Sequence, residues 1–409
     1  MNLACSPSPR RAELWNVSVP ARRIVIVGGG VVGSAIAWHL ALAGAASDVV
    51  VVEPDPTYAH AATPRATGSV RRVFSLPENI EMSAYAHEIY GAFEELMNID
   101  GAPIAHVDLR RGGYLVLTQG ADEVASLEAS AATQRALGTR SEILDRIALE
   151  SRFPAIRIDD VDAALHSPDD GWIDPNGALQ GFRKMARHLG VAYVEDRVVD
   201  IDVSGRWARS VGLASGERLE ADVVVNCANC HAPEVCAMVG MPVDIVPMRR
   251  LTFYFDVRSP LTPLPVIRDH NAISVRPEGA GYICGVFNPH EPPGFNWEID
   301  HAWFDDVVWP RIAHRVPAFE TLKLGRSWSC HYDMHRLDSN PIVGRWIGGV
   351  ENFYIAAGFS GHGLQHAPAV GRGIAELLGH GRFESLDLSR LSYQRVIDNH
   401  PLRDAGPHS

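Results

Sequence analysis

The segment that most constrains this chain runs from Arg23 to Leu40, Arg-Ile-Val-Ile-Val-Gly-Gly-Gly-Val-Val-Gly-Ser-Ala-Ile-Ala-Trp-His-Leu. An apolar run, Ile24 to Val27, leads straight into Gly28-x-Gly30-x-x-Gly33. A helix-like segment follows to about Ala45, and a second apolar run, Asp48-Val-Val-Val-Val-Glu53, ends in an acid twenty residues after Gly33. Each part has a physical task. Gly28 permits a tight turn, Gly30 lets backbone approach a pyrophosphate, and Gly33 lets helix pack on strand. The helix N-terminus presents free N–H groups and positive dipole to phosphates. Glu53 can accept from both ribose hydroxyls and repels a 2′-phosphate, which favours FAD or NAD over NADP. The alternatives are a glycine-rich turn that binds nothing and a membrane helix over residues 24–46. Three adjacent glycines near its start, and the strand and acid that follow, oppose the membrane helix.

The 409 residues suffice for two domains with large cores. A formal net charge of −12 disfavours sequence-independent binding to nucleic acid and to anionic membranes. Residues 1–20 hold Pro, Arg and Glu rather than an apolar run, so no secretory signal is expected and residues 1–21 read as a disordered lead-in. The chain reads as cytoplasmic, or as mitochondrial in a eukaryotic source, with no membrane span. The six cysteines read as reduced thiols. Cys227-Ala-Asn-Cys230-His231 matches the c-type haem pattern formally, but it directly follows a strand and sits in no export context. A zinc or redox pair is the other alternative to small residues lining a cofactor loop. No clustered metal-ligand spacing stands out, and no metal is expected.

Residues 22–95 read as strand–helix–strand, a loop and a helix. Two strands joined at Arg111-Gly-Gly are expected over 104–118, helix over roughly 121–150, and an amphipathic helix from Ala178 to Leu189. Strands at 191–194 and 197–203 precede a hairpin turning at Ser215-Gly216 and a buried strand ending at Asn226. Alternating strands over 243–287 suggest an antiparallel sheet. Trp303 to Ile312 reads as helix. The reading is an α/β chain. A Rossmann-like dinucleotide-binding domain is built from 22–100, 166–237 and 337–400. An antiparallel-sheet substrate domain is built from 101–165 and 238–336.

A second glycine-rich turn lies in Asn352-Phe-Tyr-Ile-Ala-Ala-Gly358-Phe-Ser-Gly361-His-Gly363-Leu, followed by a helix of about 12 residues. A helix N-terminus there can stabilise negative charge on a cofactor. With Gly171-Trp-Ile-Asp174-Pro175 and Ala221-Asp-Val-Val-Val-Asn226, these motifs resemble the D-amino-acid oxidase-type flavoproteins. That group holds sarcosine oxidase, glycine oxidase and dimethylglycine dehydrogenase. Phe74-Ser-Leu-Pro-Glu-Asn-Ile80, Val308-Trp-Pro, residues 315–323 and Gly381-Arg-Phe resemble the FAD-dependent oxidoreductase domain-containing protein 1 type within it.

The resemblance implies FAD as cofactor, a glutathione-reductase-like FAD domain, and hydride transfer from the carbon beside nitrogen in a small amine or amino acid. It implies cofactor contacts at Gly28, Gly30, Val31, Val32, Gly33, Glu53, Thr67, Gly68, Val198, Cys330, Gly358, Ser360, Gly361, His362, Gly363 and Leu364. Catalytic roles fall on Arg71, Tyr332 and His362, with a satisfied core tyrosine as the alternative at Tyr332. Arg71 is the family's arginine near the flavin, with a solvated pair with Arg72 as the alternative. Arg249 and Arg250 are weaker carboxylate anchors. Cys330-His331-Tyr332 matches the arrangement in which sarcosine oxidase links its flavin, although subgroup members carry glycine at that cysteine. Two family lysines are replaced here, the one over the flavin that promotes reaction with oxygen by Ile283 and a carboxylate anchor by Gln365, which argues against fast reaction with oxygen and against sarcosine as substrate. An electron-transfer carrier is the expected outlet. The alternatives are a flavoprotein acting mainly in respiratory-complex assembly, as the subgroup's animal members imply, and an NAD-dependent dehydrogenase.

Overall fold

The computed structural model describes residues 17–258 and 261–405. One sheet has six strands in the order Ala192–Val194, Val49–Val52, Ile24–Val27, Val223–Asn226, Phe353–Ala357 and Ile342–Arg345. The first five are parallel and the last is antiparallel to its neighbour. Ile24–Val27 is buried along its whole length, as a central parallel strand covered on both faces must be. Helices Val31–Leu40, Pro175–His188 and Gly363–His380 contribute to one of its two flanking cores. Trp38 and Phe182 meet there with ring centroids 5.2 Å apart. Fully burying side chains of this size stabilises by about 1.5–3 kcal/mol each. A Cβ on Gly371 would come within 2.8 Å of Ala35 O, so the first and last helices touch almost backbone to backbone.

A second sheet has eight strands, in the order Lys323–His335, Ile245–Asp256, Gly281–Val286, Ile273–Glu278, Val266–Asp269, Tyr114–Thr118, Ala163–Ser167 and Glu142–Leu144. It is antiparallel except where Val266–Asp269 runs parallel to Tyr114–Thr118. Arg315 is fully buried and pins the helix Trp309–Arg315 to this sheet through Asp269 at 2.9 Å. A third, three-stranded sheet spans Val198–Ser204, Trp207–Leu213 and Arg218–Glu220, with the turn at Ser215-Gly216 as expected.

Several local expectations change. Of the two strands expected over 104–118 only Tyr114–Thr118 forms; Arg110 makes a single bridge to Trp172. The helix expected over 121–150 ends at Ala136, Gly138 turns with φ 81°, and Glu142–Leu144 joins the sheet edge before a short helix, Arg146–Arg152. The first helix is regular over Val31–Leu40 and continues as a distorted turn in which Gly44 takes φ 86°. The last helix has 18 residues rather than about 12. Most of the expected lead-in lies outside the described residues. Within its described part Val17 and Val19 are buried, and Val19 N–H donates to Ala43 O at 3.3 Å. Among the described residues no helix is long and apolar enough to cross a membrane.

Candidate active site

The first glycine turn sits at the end of the strand Ile24–Val27. Gly28 takes φ 98°, and a Cβ there would lie 2.6 Å from Cys227 O. A Cβ on Gly33 would lie 2.0 Å from Gly28 O, whereas one on Gly30 would meet nothing within 4 Å. No side chain caps the helix that starts at Val31, so its first N–H groups, at Val31, Val32 and Gly33, belong to an uncapped helix start. Glu53 reaches the turn from the next strand. Its Oε2 accepts from Gly29 N–H at 2.8 Å and its Oε1 from Asp55 N–H at 3.0 Å, while burial raises its pKa. Val198 is buried in the same core as Val25, Val27 and Val52. An open cradle over Gly30, an uncapped helix and an acid one strand away fit a dinucleotide.

The second turn follows Phe353–Ala357. Gly358, Ser360 and Gly361 take φ of 81°, 52° and 98°, and the helix Gly363–His380 again has no side-chain cap. Asp333 holds the turn. Its Oδ2 accepts from Gly358 N–H at 2.7 Å and Phe359 N–H at 3.1 Å, and its carbonyl accepts from Ser360 N–H at 3.2 Å. Burial pushes the Asp333 carboxyl up to about 6 against the pull of those donors. A Cβ on Gly361 would lie 2.3 Å from Tyr332 Cε2, so glycine is what permits the tyrosine ring beside the turn.

A cavity of about 410 Å³ separates this turn from the eight-stranded sheet. Of the expected residues, Arg71, Tyr332 and His362 line it, with Thr67, Gly68, Cys330, Ser360, Gly361 and Leu364. Arg71 is 6% exposed. Its guanidinium lies 4.1 Å from the Phe74 ring centroid, donates to Val73 O at 2.7 Å, and stands 3.2 Å from His362 Nε2. Arginine can only donate, so His362 accepts at Nε2 and is neutral. Burial, then the Arg71 charge, hold the His362 pKa well below its ordinary value. Gln365 Oε1 accepts from Arg71 N–H at 3.1 Å, so the side chain in place of the second family lysine positions Arg71. Burial raises the Tyr332 pKa, and its hydroxyl has no hydrogen-bond partner among the described residues. Burial pushes the Cys330 thiol up to about 12. Ile283 also forms part of the wall.

Gly28, Gly30, Val31, Val32, Gly33 and Glu53 lie outside this cavity, at the first turn, and Val198 lies outside it in the core under that strand; Gly358 and Gly363 flank the second turn. The arginine pairs divide. Arg72 leaves the cavity for Asp170, at 3.1 Å, while Arg71 faces in. Arg249 is committed to Glu291 at 2.7 and 2.9 Å, which removes it as a carboxylate anchor; Arg250 lines the cavity. Sequence reasoning missed Asp333, Arg268 and Arg276. Asp333 was visible only as a neighbour of Tyr332, and the two arginines sit in ordinary alternating strands. Cys227 and Cys230 are buried, and burial raises both thiols. One group with metal-ligand spacing exists among the described residues, Asp159, Asp160 and His314, but Arg315 already pairs with Asp160 at 2.8 Å.

The family described as FAD dependent oxidoreductase matches residues 23–377. FAD-dependent oxidoreductase domain-containing protein 1 of Xenopus laevis is 33% identical over 93% of this chain and 83% of its own length. Mitochondrial sarcosine dehydrogenase of Mus musculus is 25% identical over 94% of this chain and 43% of its own. Among solved structures, L-proline dehydrogenase from P. horikoshii shares the fold at a TM-score of 0.82 and 24% identity, covering 94% of this chain and 100% of that one. Glycine oxidase from Geobacillus kaustophilus does so at 0.77 and 20% identity, over 91% and 98%. The NAD-dependent alternative is thereby replaced: this chain belongs to the FAD dependent oxidoreductase family, and FAD is its cofactor.

Proposed function

We propose that the protein oxidises the carbon–nitrogen bond of an amino acid or a secondary or tertiary amine, as a dehydrogenase that passes electrons to a carrier. The observation that carries the reading is the cavity wall, where Arg71, Tyr332 and His362 converge and no lysine stands. Amine substrates in the names of relatives such as sarcosine dehydrogenase support the substrate class. Gly28, Gly30, Val31, Val32, Gly33, Glu53 and Val198 would hold the adenosine and pyrophosphate of FAD. Thr67, Gly68, Cys330, Gly358, Ser360, Gly361, His362, Gly363 and Leu364 would hold its other end. We assign 22–100, 166–237 and 337–400 to the FAD-binding unit, and 101–165 and 238–336 to the substrate unit.

When bound, FAD supplies a two-electron acceptor for hydride. The chain's own residues bind and orient the substrate. Arg71 offers a desolvated guanidinium to a carboxylate, and neutral His362 holds that guanidinium in place. The unpartnered Tyr332 hydroxyl can donate to the same substrate. Reaction with oxygen begins by making superoxide, and a fixed cation at the centre stabilises that anion. At the position of the family lysine Ile283 provides none, and the arginines that line the cavity offer delocalised charge rather than a compact ammonium.

The test is anaerobic mixing of the yellow protein with a panel of N-alkyl amino acids, followed by turnover with an artificial acceptor. Bleaching by at least one amine, slow reoxidation in air and faster reoxidation in Ile283→Lys are expected. Fast reoxidation of the native protein, unchanged by the added lysine, contradicts the dehydrogenase assignment. A flavin that no amine bleaches leaves the partner-binding reading in its place.

A further inference from the structure

The Arg71 guanidinium sits on the segment that follows it in the chain. Val73 O accepts from it at 2.7 Å, and the Phe74 ring centroid lies 4.1 Å away. The Phe74 ring also meets His362 edge-on at 5.2 Å, the ring that accepts from Arg71. Residues 71–76 belong to no helix or strand, so no backbone ladder holds this seat. Its backbone groups find partners on side chains from elsewhere in the chain. Gln134 Nε2, on the helix Ala121–Ala136, donates to Phe74 O at 2.9 Å. Asp404 holds the next residue. Its Oδ1 accepts from Ser75 N–H at 2.9 Å and from the Ser75 hydroxyl at 2.6 Å, and the Ser75 oxygen accepts from Ala405 N–H at 2.6 Å.

The stretch that carries Asp404 is itself anchored. Leu402 N–H donates to Asp338 Oδ2 at 2.9 Å, and Leu402 O accepts from Asn340 Nδ2 at 2.5 Å. Arg395 grips the same Asp338 at 2.9 Å. Asn79 Nδ2 donates to Asn340 Oδ1 at 2.9 Å and reaches Asp404 Oδ2 at 3.3 Å. Past Asp404, the Ser126 hydroxyl donates to Ala405 O at 2.7 Å. Ser339, between Asp338 and Asn340, lines the cavity, as Arg71 does. Residues 402–405 thus tie two parts of the cavity wall together. The charge of Asp404 also acts on Arg71, against the effect of burial. A binding group works only as well as the residues that fix its position.

We infer that Asp404 is a positioning residue for the substrate site: through Ser75 it fixes the segment Val73–Ser75, and with it the Arg71 guanidinium that meets a substrate carboxylate. The inference rests on the amine-oxidation reading for what Arg71 meets, and an unreactive acid separates the two. Butyrate and its neutral amide, butyramide, are titrated into the FAD-loaded protein, with flavin absorption as the readout. Butyrate should bind on the order of tenfold tighter, a margin that Arg71→Met removes. Asp404→Ala should lose most of that margin while FAD content stays at the native level. Asp404→Asn keeps an oxygen for Ser75 and should hold the margin within about threefold. Ser75→Ala should lower it partly, and should add little to Asp404→Ala, because the two act through one contact. A margin intact in Asp404→Ala overturns the inference, as does native protein that binds both ligands alike. So does an Asp404→Asn protein as impaired as Asp404→Ala, since charge rather than position would then be acting. Loss of FAD and of butyramide binding in step with butyrate would mean general loosening, and also overturns it. The expected series of margins with no N-alkyl amino acid bleaching the flavin supports the positioning role and sinks amine oxidation. Bleaching by such an amine at the native rate and KM in Asp404→Ala supports amine oxidation and sinks the positioning role.

Discussion

The glycines of the first turn look alike in sequence and differ in what surrounds them. Gly33 has Gly28 O where a Cβ would go, at 2.0 Å, and backbone cannot yield there cheaply. Gly30 has open space. Gly30→Ala should therefore keep the apoprotein within about 1 kcal/mol of native stability, the cost of a poorer helix start. Gly33→Ala should cost about 3 kcal/mol or more. The checks are urea unfolding of each apoprotein and the FAD content of each purified protein. A Gly30→Ala protein with full FAD content would show that the pyrophosphate does not approach there. The motif was legible because its spacing is local. That Gly361 makes room for Tyr332 was not, because the two residues meet only through folding. Cys330 carries a prediction of its own. A thioether to the cofactor needs a thiolate, and burial holds this thiol up to about 12. Acid precipitation should then leave the flavin in the supernatant; a yellow pellet that turns white in Cys330→Ala would reverse that expectation.

At the scale of elements, the second glycine turn is held from outside. Asp333 lies on the long strand Lys323–His335 and satisfies the N–H groups of Gly358 and Phe359 with one oxygen. Asp333→Asn can keep both bonds through its amide oxygen and should change stability at pH 7.5 by less than about 1 kcal/mol. Asp333→Ala strands two buried donors, each costing about 1–3 kcal/mol, and should loosen the turn and lower FAD occupancy. Equal behaviour of the two variants would mean that the charge, not the bonds, matters at this site. Apolar period and turn residues made the long strands and the helix from Ala178 legible. Glu142–Leu144 was not, because three residues carry no period of their own and pair only at the edge of a sheet completed later in the chain. Packing likewise settled where the last helix ends, at a left-handed Gly381.

Over the whole molecule the cavity is assembled from strands and turns far apart in sequence, so its charge could be read only from the fold. The two-sheet architecture itself was legible, because parallel strands read as unbroken apolar runs and the second sheet as alternation. Its burial of titratable groups sets how the protein responds to acid. His39, His87, His362 and His366 are buried, and burial lowers the first two to about 3 and about 4, His362 well below its ordinary value and His366 to about 3. The fold prefers these rings neutral. Above pH 6.5 the unfolded chain is neutral there too and nothing is lost. Below 6.5 the unfolded chain binds protons that the fold refuses, so stability falls as pH falls. Asp333 works the other way. Its folded value of about 6 lies above the ordinary 3.8, so in that window the fold holds a proton the unfolded chain has released, and acid favours the fold. Among these five groups the four histidines make acid destabilise the fold, and Asp333 offsets part of that loss. Urea unfolding between pH 7.5 and 5 should show a plateau above 7 and a steep loss below 6. Replacing His366 by Asn should reduce the slope by about one proton. A stability curve level down to pH 5 would mean that these rings find water or charge partners when protonated, and that the core around Arg71 opens far more readily than its packing indicates.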